Sequence, residues 1–305
     1  MDSVFGVESP AYVAVRALLS AVSLGLIGCV VLHGVVLRGL RASGAGELRS
    51  AVQGTLPRWI IVLGAVAIVG TLARLVAQHA AVFGSDVMPT GDSLHALLFR
   101  SSWGRSWWLA LAAAIAIAGS RRLRHRRDWA VLAVGVLGFV ASQPWSGHPA
   151  ATETPLLSIG TQTLHVLGAG AWLGTLAALA GLAIPASRRC AEPRALIAAL
   201  VGAFSPVALT AATLVVASGA ITAWENLGAV SALWSSAYGR TLSLKLAALA
   251  VTAAVGAYNW RRVLPRLGEA EASESLRRAM RVELASAALA VIVTAVLVAT
   301  PMPGE

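Results

Sequence analysis

The chain has 305 residues, of which 57% are hydrophobic and 12% are charged, and its mean hydropathy is +0.74. A soluble domain carries about 25% charged residues, so this composition excludes a soluble enzyme and indicates a polytopic membrane protein. The formal net charge of +10 could suggest a nucleic-acid-binding protein, but roughly 18 of the 24 Lys and Arg residues fall in four short loops between apolar segments. That distribution is a signature of membrane topology, and we expect no nucleic-acid partner.

Apolar segments long enough to cross about 30 Å of hydrocarbon recur along the chain. They predict an all-α fold, a polytopic membrane helix bundle of eight transmembrane helices in the lipid bilayer. The first segment is longer than the apolar region of a signal peptide and follows acidic residues, so we expect it to be retained. The predicted spans cover residues 12–38, 58–83, 103–119, 128–145, 156–184, 198–225, 239–260 and 279–300.

Charge alternates between successive loops and predicts the orientation. By the positive-inside rule, we expect both termini to be external, that is, outside the cytoplasm, and an odd number of spans would break this alternation. The basic loops carry Arg38, Arg41, Arg49 and Arg58, then Arg121, Arg122, Arg124, Arg126 and Arg127, then Arg188, Arg189 and Arg194, then Arg261, Arg262, Arg266, Arg277, Arg278 and Arg281. The acidic residues on the other side are Asp2, Glu8, Asp86, Asp92, Glu153, Glu225 and Glu305.

Two similar sequences begin the third and seventh spans and indicate an internal repeat. Ser101-Ser102-Trp103-Gly104-Arg105 is matched by Ser235-Ser236-Ala237-Tyr238-Gly239-Arg240. The match predicts two four-helix halves, residues 1–145 and 146–305. Because each half has an even number of spans, the halves would be parallel, related by an axis along the membrane normal. A small-aromatic-Gly-Arg sequence is also simply a convenient start for a membrane helix, so coincidence is the alternative.

Histidines concentrate on the predicted external side of the membrane. His79, His95 and His148 lie near or beyond the external ends of spans, and His165 lies roughly 10–14 Å below the outer surface at 1.5 Å per residue. Met88 is on the same side. Imidazole is a common ligand of copper and zinc, and a thioether adds preference for Cu(I). The pattern predicts an external metal site, although hydrogen bonding at the interface explains any single histidine equally well.

Charged groups inside the spans are costly and usually face a bundle interior. Arg74 lies in the middle of span two, and we expect it to pair with a polar group on a neighbouring helix. Cys29 and His33 are four residues apart, on one face of span one near its inner end, where they could relay Cu(I) or simply belong to the core. Gly170 and Gly174 favour close packing of helices.

Motifs of soluble catalysis are absent from the sequence. It contains no G-x-x-x-x-G-K-[ST], no H-E-x-x-H and no G-x-S-x-G. We therefore expect neither enzymatic activity nor ATP-driven pumping by this chain alone.

Several further stretches form a recognisable set: Ser146-Gly147-His148, residues 164–174, Phe204-Ser205-Pro206, Ser218-Gly219, Tyr238-Gly239-Arg240 through Lys245, Asn259, Pro265, residues 281–284 and residues 299–301. Together they resemble the core signature of the bacterial copper resistance protein D (CopD) family. The resemblance is most specific over residues 140–305, and the first half fits more loosely through Trp103-Gly104-Arg105. Gly174 is followed by Thr175, where family members usually have a second glycine.

The resemblance implies an eight-helix inner-membrane protein that takes up or handles the copper ion. It implies a separate periplasmic copper-binding partner of the CopC type, and it marks His148 and His165 as members of the metal site. His79, His95 and Met88 complete the predicted ligand set.

Two other functions remain open at this stage. One is a b-type haem protein for electron transfer, with His79 and His165 as axial ligands. The other is a non-transporting scaffold that docks periplasmic copper carriers.

Overall fold

Helices form all the regular secondary structure in the described part of the chain. The computed structural model describes residues 10–120, 123, 125–146, 154–263 and 272–300. Both termini, residues 121, 122 and 124 of the second basic loop, and the predicted ligand His148 lie outside this part.

The first half follows the predicted spans closely. Two additions are α3, which has nine residues and is too short to be detected as a span, and the first turns of α2, which are too polar to be detected. The helices are α1 Pro10–Val31, extended by the π-helical turn Leu32–Val36 and Leu37–Gly39, then α2 Ala45–Phe83, α3 Gly91–Phe99, α4 Ser102–Ala118 and α5 Arg126–Ser142.

The second half also contains a short helix, α8, that the sequence pattern did not predict. Within α6 the π-helical turns Gly170–Gly174 and Leu179–Ala183 interrupt the regular hydrogen bonding. The helices are α6 Pro155–Ser187, α7 Pro193–Leu227, α8 Ala232–Ser235, α9 Ala237–Tyr258 and α10 Ala272–Ala299.

Six of the described helices, α1, α2, α6, α7, α9 and the part of α10 from Arg278 to Val298, are long and apolar enough to cross a membrane. The protein is therefore a multi-pass membrane protein. The remaining two predicted spans correspond to α4 and α5, which have 17 residues each, roughly 25 Å at 1.5 Å per residue. The count of eight transmembrane helices stays a prediction.

The largest core is formed by buried residues of α1, α2, α4, α5, α6, α7 and α10. Leu32, Leu56 and Phe139 are fully buried there. A second contact joins α2 to α4, because the Trp107 indole donates a hydrogen bond of 2.8 Å to the Thr71 carbonyl.

The two halves touch backbone to backbone where α1 crosses α6. A Cβ atom added to Gly28 would overlap the backbone of Gly174, and one added to Gly174 would overlap the carbonyl oxygen of Leu24. A Cβ atom at Gly170 would lie 2.5 Å from Ile27. The expectation that Gly170 and Gly174 allow close helix packing is confirmed, and their partner is α1.

The starts of α4 and α9 have the same local geometry. The Ser101 hydroxyl accepts a hydrogen bond of 2.9 Å from the Gly104 amide, and the Ser236 hydroxyl accepts one of 2.9 Å from the Gly239 amide. Neither Gly104 nor Gly239 has room for a Cβ atom, because the preceding short helix, α3 or α8, lies against it. The repeated sequence thus encodes a repeated helix start, and the superposition of whole halves stays a prediction.

Replacing Gly174 with valine should destabilise the protein by about 1–3 kcal/mol or more, since overpacking of a tight contact has costs of that order. Gly202→Val is the matched control, because nothing lies within 4 Å of a Cβ atom at Gly202. Thermal unfolding of both variants in detergent provides the measurement. Equal unfolding temperatures would contradict a dependence on the crossing of α1 and α6.

Both termini should be external and residues 120–127 cytoplasmic. A fluorescent protein that matures only in the cytoplasm should be dark when fused after Glu305 and bright when inserted at residue 123. A bright fusion at Glu305 would overturn the assignment of sides.

Candidate metal-binding site

A cavity of about 380 Å³ lies between the two halves, and we call it the outer cavity. Its walls are the first parts of α1, α6 and α9 and the last parts of α2, α5, α7 and α10. These ends share one side of the molecule, the side that the charge pattern assigns to the exterior. Polar side chains on the walls are Arg16, Ser20, Ser23, Arg74, Gln143, Ser158, Gln162, His165, Thr222, Glu225, Asn226, Tyr238, Lys245, Thr294 and Thr300.

His165 lies on α6 and faces this cavity, as the sequence predicts. Its Nδ1 atom is 3.1 Å from the Ser218 hydroxyl oxygen on α7. That hydroxyl is 2.6 Å from the Leu214 carbonyl and donates its single proton there. His165 Nδ1 must then carry a hydrogen and donate it to Ser218, an assignment made from the hydrogen-bond network. The other nitrogen, Nε2, keeps its lone pair and can bind a metal ion.

Gly219 leaves the space that the His165 ring occupies. A Cβ atom at this position would lie 3.0 Å from His165 Cε1 and 3.4 Å from Nδ1. Ser218 and Gly219 therefore act together, one by orienting the imidazole and the other by leaving space for it.

Cationic side chains share the outer cavity with His165. Arg74 donates a hydrogen bond of 3.1 Å from Nη1 to the Gln143 amide oxygen on α5, which confirms the expected polar partner on another helix. The guanidinium of Arg16 donates to the Tyr12 hydroxyl at 2.7 Å. Lys245 also faces the cavity, and the exposed carboxylate Glu225 lies near the end of α7.

The other predicted external ligands lie on α3 or near it. His79 is buried on α2, and its Nε2 atom is 2.9 Å from the Ser93 hydroxyl. His95 is exposed, with its ring centroid 5.4 Å from that of Phe99, and Met88 is 81% exposed. The structure thus gives His79 a hydrogen-bonding role, the alternative that the sequence left open. Metal binding by His79, His95 and Met88 stays a prediction.

The structure does not assemble these residues into one ligand set. Within residues 10–120, 125–146, 154–263 and 272–300, no three His, Cys, Asp or Glu side chains come together as a metal site. His148 lies outside the described residues. Its membership of the site stays a prediction.

His33 and Cys29 lie near the opposite end of α1. Both side chains are buried, and the His33 ring is stacked on that of Trp129 with centroids 3.6 Å apart and planes 5° from parallel. Cys29 and Cys190 are free thiols. The stacking gives His33 a packing role, in keeping with the core alternative.

Sequence reasoning did not find the hydrogen-bond partner of His165. Ser218 and Gly219 were notable only as part of the family resemblance, because a Ser-Gly pair inside an apolar helix usually serves packing. The contact of Asn226 with the Tyr238 hydroxyl, 2.8 Å long, was also missed. These pairs join residues that are 53 and 12 positions apart, on different helices, and neither spacing nor hydropathy encodes them.

Comparison with known proteins adds a family context. The family model described as "Copper resistance protein D-like, N-terminal domain" matches residues 7–159, and that of "Copper resistance protein D" matches residues 198–297. No solved structure matches the chain.

Two similar proteins cover nearly the whole chain. "Copper transport protein CutJ" of Bacillus subtilis (strain 168) is 26% identical over 97% of this chain, and this chain spans 54% of that protein. "Copper resistance protein D" of Pseudomonas syringae pv. tomato is 25% identical over 92% of this chain and is itself covered over 94% of its length. The chain therefore spans about half the length of the first relative and nearly all of the second.

Proposed function

This chain belongs to the copper resistance protein D family, and on that premise we propose that it transports copper across the inner membrane. Copper is accepted at the external face and passed inward. The observation that carries the proposal is the orientation of His165, whose Nδ1 atom is held by Ser218 and whose Nε2 atom is left with its lone pair beside the outer cavity. The names of the relatives also favour a transport or resistance role over an enzymatic one.

His165 has the two features that a histidine ligand needs. Metal-bound histidines commonly donate their second ring N–H to a fixed acceptor, which orients the ring and raises the basicity of the ligating nitrogen. The Ser218 hydroxyl is such an acceptor because Leu214 takes its own proton. The π-helical turn Gly170–Gly174 begins five residues after His165, and turns of this kind are frequent at functional sites.

Charge in the outer cavity favours the monovalent form of copper. Arg16, Arg74 and Lys245 line the same space as His165, with the carboxylate of Glu225 near the outer end. Coulomb energy scales with charge, so Cu(II) would be repelled by these cations twice as strongly as Cu(I) at the same position. We therefore propose that Cu(I) is the ion that reaches His165.

Copper reaches the cavity from the external surface in this proposal. Met88 and His95 are exposed near α3, and His148 lies in the short connection from α5 to α6. These residues, with His79, would capture the ion, and a separate periplasmic copper-binding protein of the CopC type would deliver it. The functional order is then capture at the surface and transfer to His165 deeper in the bundle.

The haem alternative has little structural support. Of the two histidines that would bind the haem, only His165 is among the residues that line the outer cavity. The Nε2 atom of His79 instead contacts the Ser93 hydroxyl. A Soret band in the purified protein would revive this alternative. The scaffold alternative leaves unexplained why Arg74 and His165 occur inside the bundle.

His165→Ala should abolish copper-dependent function, because it removes the oriented Nε2 ligand. His148→Ala should weaken function, because His148 would assist capture at the surface. The measurement is cellular copper content in a bacterial host that expresses each variant at equal level. Thr163→Ala is the control on α6, since the Thr163 hydroxyl donates to the Ile159 carbonyl of its own helix. Normal copper content with His165→Ala would leave the proposal without its central residue.

Ser218→Ala should lower the affinity of the purified protein for Cu(I) by about tenfold, because loss of a hydrogen bond that orients a ligand typically costs 10–100-fold in metal affinity. Competition with a Cu(I) chelator provides the measurement. Ser205→Ala is the matched control on the same helix, since the Ser205 hydroxyl donates to the Val201 carbonyl as Ser218 does to that of Leu214. Equal affinities for the two variants would show that Ser218 does not orient a ligand.

A further inference from the structure

A second cavity, of about 400 Å³, lies at the opposite end of the bundle from the outer cavity. We call it the basic pocket. It is formed by the end of α1, the start of α2 and the start of α5, the ends that the charge pattern assigns to the cytoplasmic face. Its polar lining consists of His33, Arg38, Arg49, Gln53, His125 and Arg126.

The charge of the basic pocket is of one sign. Three guanidinium groups line it, and no carboxylate is among its lining residues within the described chain. Asp128 is next in sequence to the lining residue Trp129. Its carboxylate accepts a hydrogen bond of 2.8 Å from the His125 amide and so caps the start of α5. A pocket with this lining is suited to an anion.

One of these arginines is held rigidly by the backbone. Arg49 donates from Nε to the Leu37 carbonyl at 2.7 Å and from Nη2 to the Leu40 carbonyl at 2.6 Å. These bonds fix its guanidinium at the connection from α1 to α2 and leave Nη1 for another acceptor. Arg38 and Arg126 are exposed and can close on a ligand from the two sides.

The wall of the pocket is aromatic and lies at the expected depth of lipid headgroups. The stacked rings of His33 and Trp129 form it. Tryptophan side chains concentrate at the membrane interface, so the arginines beside Trp129 are at the level of phosphate groups. Arginine forms paired hydrogen bonds with phosphate oxygens.

We infer that the basic pocket binds a phosphate group. An anionic phospholipid and a soluble phosphate compound offer the same chemistry, and basic pockets between membrane helices on the cytoplasmic side are typical sites for lipid phosphates. This inference does not depend on copper transport, because none of the residues of the outer cavity contributes to it.

The test measures binding to the purified full chain in two arms. Native mass spectrometry counts phosphatidylglycerol retained in the presence of excess phosphatidylcholine, and calorimetry measures inorganic phosphate. The double variant Arg38→Gln/Arg126→Gln should bind about thirty-fold more weakly, because loss of each guanidinium–phosphate hydrogen bond costs roughly a fivefold factor. The single variant Arg126→Gln should show about a fivefold loss.

Arg41→Gln/Arg127→Gln is the matched control. It removes the same charge from exposed positions of the same two loops that do not line the pocket. Retention of phosphatidylglycerol alone would identify a lipid headgroup, and binding of inorganic phosphate would identify a soluble ligand. If neither binds, or if the two double variants lose binding equally, the pocket is not a phosphate site.

Discussion

The contact of α1 with α6 at Gly28 and Gly174 fixes the relative positions of two helices that form the outer cavity. Lipid tails are as apolar as the helix surfaces, so burial of apolar surface does little to bring helices together in a membrane, and close van der Waals packing must do so. Backbone contact between these glycines joins the first half of the chain to the second. The same crossing brings Arg16 of α1 to the cavity that His165 faces on α6. A larger side chain at either glycine would separate the walls of the outer cavity.

The lack of water inside the membrane imposes a second constraint on the interior of the helix bundle. A polar side chain inside the membrane must find its partner within the protein, because an unpaired polar group in hydrocarbon is costly. Arg74 meets this requirement through Gln143, and His79 through Ser93. In the case of His165 and Ser218 the same requirement also selects one tautomer of the imidazole. The hydrogen bond that satisfies Nδ1 thereby leaves Nε2 with the lone pair that can bind a metal ion.

Much of the helix pattern could be predicted from the sequence, because apolar runs report directly on burial in lipid. The predicted spans 103–119 and 128–145 correspond to α4 and α5 within a few residues. The first turns of α2 were missed, since helical residues outside the membrane carry no apolar signal. The site was predicted only as single residues. His165 was identified by its depth, but Ser218 is 53 residues away in sequence and is joined to it by packing alone.

The two cavities have different charge patterns, which indicates that they accept different ligands. The outer cavity combines cations with an imidazole, several neutral oxygen groups and one carboxylate near its outer end. The basic pocket presents arginines with no carboxylate among its lining residues in the described chain. A free copper ion would be repelled by Arg38, Arg49 and Arg126, so the basic pocket is a poor exit for copper unless an anion occupies it. A bound phosphate group would offset that repulsion. Arg16, Arg74 and Lys245 also repel copper in the outer cavity, but there the Glu225 carboxylate offsets part of their charge and His165 offers a ligand. The two sites are therefore distinguishable by the charge of the ligand that each accepts.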